Sequence, residues 1–207
     1  MDALLICPPP TALASVPTQA CPERYDQIVR FAIQRKQTTA SFTTTTLLAE
    51  ATWTPLLSAV NSTKVIMTPL IPNVVIPAGE VLKEGGNDNT TINGIPKLAG
   101  LPFVPVTAQL QDANSAVRKA LRALASESAI FPGFTNLWIY PINRFGQIIG
   151  KKDGTDVLGI PVYNFVVGDV GTEGLNKNNI ANVSFDLAPG WSDDVEVFTP
   201  SFDPLSL

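Results

Sequence analysis

The acidic side chains are the first place to look for chemistry. Asp193 and Asp194 stand three and two residues before Glu196, and Asp153 lies three residues before Asp156. Paired carboxylates hold calcium or divide general acid and general base work. Asp193 and Asp194, however, follow Gly190-Trp191-Ser192, a turn in which Asp and Ser serve the backbone. Asp153-Gly154-Thr155-Asp156 is too short for the calcium-loop pattern. Two cysteines, Cys7 and Cys21, bracket a segment of Pro, Ala, Ser and Thr. They are either reduced thiols or the ends of a small closed loop, and two thiols fall short of a four-ligand structural metal site. The sequence of 207 residues has no histidine. That removes Ser-His-Asp and Cys-His catalysis, imidazole ligation of metals and histidine pH switching. No Ser-x-x-Lys is present to start a lysine-activated serine. The Gly146-to-Lys152 stretch has the wrong spacing for a phosphate loop and suits a hairpin. This inventory predicts no catalytic residue, no cofactor, no metal and no small-molecule substrate.

Aromatic and basic residues offer binding rather than catalysis. Trp191 sits in a turn and Trp138 lies two residues before Tyr140 in a strand. Exposed, such rings anchor a partner or stack on a sugar or base; buried, they close the ends of a core. Arg118, Lys119 and Arg122 on a surface helix either touch nucleic acid or keep the surface soluble. With 14 Lys+Arg against 18 Asp+Glu, the net charge of -4 gives no global pull toward a polyanion. Charged residues make up 15% of the chain and hydrophobic ones 45%, against about 25% charged in an average domain. Such a weakly polar surface suits a subunit covered by its neighbours, and equally a compact neutral monomer.

The positioning elements follow from periodicity. Residues 1–26 are rich in proline and predict an extended N-terminal arm, with a single β-rich domain over 27–207. Met1-Asp2-Ala3-Leu4-Leu5-Ile6 has no basic start, and Pro8, Pro9 and Pro10 interrupt it, so no signal peptide is predicted. No apolar run approaches the roughly 18 residues of a membrane span, which points to the cytoplasm or a particle assembled there. Val29, Phe31 and Ile33 alternate as in a strand, although Ile28 and Ala32 blur the pattern and a helix from Pro22 competes. A short helix is predicted around Trp53-Thr54-Pro55, with Pro55 near its first position, then a strand over Lys64–Thr68. Residues 79–100 form a long loop, with Asn93-Gly94 marking a tight turn at positive φ. Leu110, Ala113, Val117, Leu121 and Leu124 recur at three- and four-residue spacing and predict a helix over about 109–126, capped near Thr107. In that helix Leu110, Val117, Leu121 and Leu124 dock on a sheet. Strands follow at Leu137–Ile142, Gln147–Gly150, Ile160–Val167, Ile180–Leu187 and Asp194–Phe198, with Asn143-Arg144-Phe145-Gly146 as a type I hairpin turn. The fold class is therefore mostly β (α+β): an antiparallel β-sandwich or partly rolled barrel with one flanking helix.

The segment from Cys21 to Lys36, CPERYDQIVRFAIQRK, resembles the opening of virion proteins of tailed bacteriophages, chiefly crAss-like phages and relatives infecting Bacteroidetes. The Lys64–Pro69 strand with its later glycine-rich loop, and Gly190-Trp191-Ser192-Asp193-Asp194, resemble the same proteins. The layout is similar to that of phage tail-tube subunits, which form rings, often hexameric, stacked around a lumen that DNA traverses. The resemblance implies that residues 79–100 reach an adjacent subunit and that residues 1–26 bridge rings. The proline-rich early segments depart from the tail-tube pattern and bear on the length of any sheet shared between subunits.

The leading expectation is thus a virion structural protein, a tail tube or ring component, located in the virion and assembled in the host cytoplasm. Its partners would be copies of itself, other virion proteins and DNA in non-specific passage, with no membrane. Assembly candidates are Pro8, Pro9, Pro10, Gly85, Gly86, Asn93, Gly94 and Trp191. Two other classes compete. One is a capsid decoration or carbohydrate-binding β-domain using Trp138, Tyr140 or Trp191; the other is a hydrolase using Asp193 or Asp194.

Overall fold

Alternation in the last third of the chain sets the architecture. Val183, Phe185 and Leu187 are buried while Asn182 and Ser184 face solvent, the signature of a sheet with one face on a core. The computed structural model describes residues 24–86, 89, 92–128, 135–172 and 174–207. Its strands are β1 (Ile28–Arg35), β2 (Phe42–Thr43), β3 (Val65–Met67), β4 (Leu82–Glu84), β5 (Lys97–Gly100) and β6 (Val104–Gln111). Then come β7 (Leu137–Asn143), β8 (Ile148–Asp153), β9 (Asp156–Leu158), β10 (Ile160–Thr172), β11 (Asn179–Leu187) and β12 (Val195–Phe198). The helices are α1 (Glu50–Ser58), α2 (Ser115–Ala123) and α3 (Ala125–Ser128). The fold is mostly β, with extensive antiparallel pairing and one flanking helical region.

The main sheet runs β2-β9-β8-β7-β10-β11-β6, with β1 joined to β7 and β3, and β12 to β8. Strand β10 links its two parts. It touches β7 only at Ile160 and Pro161, then follows β11 to Thr172 through two register shifts. The larger core is lined by Phe31, Ile33 and Ile139 from one part of the sheet and by Val106, Phe165 and Phe185 from the other. A second core lies on the opposite face of β1 and β7, where Ala32, Tyr140 and Ile142 meet Phe42, Leu47 and Trp53. Strands β1 and β7 are therefore covered on both faces. This explains the blurred pattern at Ile28 and Ala32: a bulge between Ile28 and Arg30 keeps Ile28 on the larger core with Phe31, and Ala32 faces the second.

Two sequence-based placements are corrected. The helix expected over 109–126 is a strand up to Gln111, then a helix from Ser115. Val104, Val106, Ala108 and Leu110 are buried and separated by more exposed residues, so period two overrides a single leucine at helical spacing. Leu110 thus reaches the larger core from β6, opposite Ala181 of β11, not from a helix. Asp112 turns the chain at φ 49°, and Asn114, not Thr107, caps α2 by accepting from the Val117 amide at 2.9 Å. Val117, Leu121 and Leu124 do pack against the larger core. Helix α1, in turn, begins at Glu50 and holds Pro55 in its interior rather than at its first position.

The β7–β8 hairpin turns as its composition predicts. The Gly146 amide donates to the Asn143 carbonyl at 3.0 Å with Gly146 at φ 74°, and the Asn143 side chain accepts from the Phe145 and Gln147 amides.

Tyr140 occupies a slot between two glycines. A Cβ added at Gly159 would stand 2.6 Å from Trp138 Cβ and 3.2 Å from the Tyr140 ring, and one at Gly150 would stand 2.6 Å from Val157. The Tyr140 hydroxyl is buried with no hydrogen-bond partner in good geometry. Burial pushes this phenol well above its ordinary value, and the nearby Gly159 backbone offsets only part of that. Tyr140→Phe removes a desolvated hydroxyl and should leave stability within ~0.5 kcal/mol of the parent, or raise it by about 1 kcal/mol. The pH dependence has a defined sign. Above about pH 10 the unfolded chain releases a phenolic proton that the folded chain keeps, so the parent loses stability as pH rises through 10. Urea denaturation between pH 8 and 11 should show a shallower decline for the phenylalanine variant.

Candidate assembly surface

The stretch expected to be a loop over 79–100 carries its own two-stranded sheet. Strands β4 and β5 pair antiparallel only with each other among the described residues, matching Lys83 with Leu98 and Glu84 with Lys97. Asn93 and Gly94 form the turn at φ 58° and 66°, as their composition predicts, and the Ile95 amide donates to the Ile92 carbonyl at 3.3 Å. Gly85 and Gly86 leave β4 at φ 68° and 121°, conformations open to glycine, and a Cβ on Gly86 would press on Pro96 at 3.3 Å. The four glycine and asparagine candidates are thus brought together as the bends of one ribbon. Pro8, Pro9, Pro10, Cys7 and Cys21 lie outside the described residues.

The ribbon is rich in exposed apolar side chains. Val81, Leu82, Ile95 and Leu101 are all more than half exposed, Leu98 is 69% exposed and Ile92 81%. Phe103, just beyond it and 46% exposed, stands edge-on to Tyr163 at a ring separation of 5.1 Å. Scattered single exposures are ordinary, but several large apolar side chains exposed along one short element are not. Such a two-stranded ribbon is marginal in water without further cover.

Trp191 lies near the root of this ribbon. It is partly buried on the larger core, 6.0 Å from the Tyr25 ring, and borders a groove of about 680 Å³ whose wall is Val74–Gly79. That wall runs directly into the ribbon. Trp138 and Tyr140, by contrast, are buried, so neither lines a groove for a sugar. Two of the acidic candidates, Asp194 and Glu196, are paired with lysines. The Asp193 amide donates to the Gly190 carbonyl at 3.2 Å, and Asp194 pairs with Lys151 at 3.0 Å. Lys152 pairs with Glu196 at 2.9 Å. Among the described residues no three acidic side chains gather as a cation site, and no helix is long and apolar enough to cross a membrane.

The arginines of α2 are occupied by their own chain. Arg118 donates to the Ala113 carbonyl at 2.6 Å. Arg122 donates to the carbonyls of Val167 and Gly168 and pairs with Asp169 at 2.6 Å, covering an edge of β10.

Sequence reasoning missed a second apolar surface. Leu70 is 63% exposed and Phe145 64%. Leu70 borders a recess of about 310 Å³ lined by Val29, Ile71, Pro72 and Leu205, with Gln27 and Arg144 at its rim. The Arg144 guanidinium lies 4.6 Å from the Phe145 ring centroid and pairs with Asp26 at 3.0 Å. No periodic pattern marks Leu70, because it follows Pro69 in a connecting segment. No protein-family model and no curated protein matches this chain.

Proposed function

We propose that this chain is a non-enzymatic structural subunit of a phage particle, a tail-tube or ring component whose copies assemble around a passage for DNA. The observation that carries the reading is the ribbon of β4 and β5, which displays large apolar side chains away from its own cores. A chain that leaves such a surface in water is served by burying it on a neighbour. The finer architecture fits the same role: two parts of one sheet facing each other across the larger core, joined by β10 and flanked by α2, make an open sandwich. The net charge of -4 suits a wall along which DNA slides without being held. Its setting would be the virion, assembled in the host cytoplasm, beside other virion proteins.

Light-scattering mass against concentration, followed by negative-stain images, tests this directly. Rings or tubes are the expected result, and a monodisperse single chain at every concentration would overturn it. The double variant Ile95→Asp, Leu98→Asp should unfold within ~0.5 kcal/mol of the parent, because both sites are exposed. It should nevertheless stay monomeric where the parent assembles.

A further inference from the structure

We propose that the N-terminal segment of the same chain seats in the groove beside Trp191, where residues 11–16 add an extended strand to the free edge at Val74–Ile76. This contact does not depend on association between copies. The Val75 amide donates to the Thr107 carbonyl at 2.8 Å, and the Thr107 amide donates back to the Val75 carbonyl at 3.1 Å. Backbone groups alternate sides along an extended strand, so those of Val74 and Ile76 point away from β6. They have no hydrogen-bond partner among the described residues. The Val74 and Ile76 side chains pack against the larger core, which fixes this backbone in place. Such an edge is a template for strand addition. Pro72 and Pro77 bracket it, and Pro77 has no amide to donate, so the edge admits only a short partner.

The occupant follows from where the described residues begin. Arg24 is the first of them, and Tyr25 and Asp26 already line the groove beside Val74–Gly79 and Trp191. Residues 1–23 are therefore tethered at the rim of this groove. A tether raises the effective concentration of the segment to the millimolar range, which a short strand contact can use and a free peptide cannot. Thr11-Ala12-Leu13-Ala14-Ser15-Val16 is uncharged and free of proline. Every residue in it keeps its amide for a ladder, and no charge loses its water against an apolar wall. The chain from Val16 to Arg24 reaches up to ~29 Å, enough to run the length of residues 74–79, themselves at most ~20 Å long. The nearer run Thr18–Cys21 brings no large apolar side chain to the groove, whereas residues 11–16 bring Leu13 and Val16. Leu4-Leu5-Ile6 stands farther off, beyond Pro8, Pro9 and Pro10.

Amide hydrogen exchange followed residue by residue on the full-length chain tests this. The comparison is with the double variant Leu13→Pro, Ala14→Pro, which removes two adjacent donors and so disables the added strand whichever of its sides meets the edge. The Val74 and Ile76 amides should exchange roughly 10- to 100-fold more slowly in the parent than in the variant. The Val75 and Thr107 amides, already bonded to each other's carbonyls, should exchange alike in both and show that the variant is folded. Equal rates at Val74 and Ile76 in the two chains would overturn the proposal. Isotope-labelled variant mixed with an excess of unlabelled parent identifies the source of the strand. The edge of the labelled chain should stay fast; slow exchange restored by the parent would assign the strand to a second copy and overturn seating within one chain. A parent that never associates, yet shows the slow edge, would overturn the self-assembly reading above and leave this contact standing.

Discussion

Replacing Trp53 by alanine should cost ~3–5 kcal/mol of folding stability, the range for truncating a fully buried large aromatic. Trp53 has no solvent exposure and stands at the centre of the second core. Its ring lies 4.5 Å from that of Phe42, 6.3 Å from Tyr140 and 6.4 Å from Phe202. These partners come from β2, β7 and the segment after β12, so one side chain ties together elements far apart in sequence. The indole also donates to the Leu47 carbonyl at 2.9 Å, and alanine leaves that acceptor buried without its donor. Relaxation is limited, because the glycine slot around Tyr140 leaves little space for the neighbouring rings to shift. Trp53→Phe keeps most of the apolar volume and loses the hydrogen bond, and should cost about 1–2 kcal/mol. Urea denaturation followed by far-ultraviolet circular dichroism measures both. A loss under ~1 kcal/mol for the alanine variant would mean that the second core contributes little to folding, contrary to its packing.

The strands with one buried face were the easiest to read. In β11 the alternation of Val183, Phe185 and Leu187 with polar residues is complete, and the strand lies where that pattern puts it. In β1 the same logic gave a strand with imperfect alternation, and the imperfection has two physical sources: a bulge, and a core on each face. Only the start of the helix expected over about 109–126 falls in a strand, because Leu110 fits a helical stripe with Ala113, Val117 and Leu121 by spacing alone. Buried positions at 104, 106 and 108 carry the opposing period, and Pro105 fits an extended backbone. The ribbon was half legible. Asn93-Gly94 gave its turn, and the flanking runs around Leu82 and Leu98 are too short and too mixed with lysine, glutamate and glycine to show alternation. The recess was not legible at all. It is assembled from a bulge at Val29, a connection at Leu70–Pro72 and a turn at Leu205, and no local pattern relates these three.

Arg30→Met should cost ~2–4 kcal/mol, because one guanidinium satisfies several partly buried carbonyls at once. Arg30 leaves β1 toward the C-terminal segment. Its Nε donates to the Thr68 carbonyl at 2.7 Å, and its two terminal nitrogens donate to Leu205 at 2.7 Å and Leu207 at 2.8 Å, with Pro204 at 3.4 Å. Burial lowers the guanidinium's proton affinity, and the charge of Asp203 partly restores it. A planar fork with five donors matches this set, whereas a lysine ammonium at the end of a flexible stem cannot face carbonyls on two sides. Arg30→Lys should therefore recover less than half of the loss, although it restores the charge. The consequence extends beyond local stability. The segment so held carries Phe202, Leu205 and Leu207 onto the second core, and Leu205 also lines the recess. Releasing it should speed amide hydrogen exchange at 201–207 under conditions where β7 and β11 remain protected. Full stability in Arg30→Lys would show that charge alone anchors the segment.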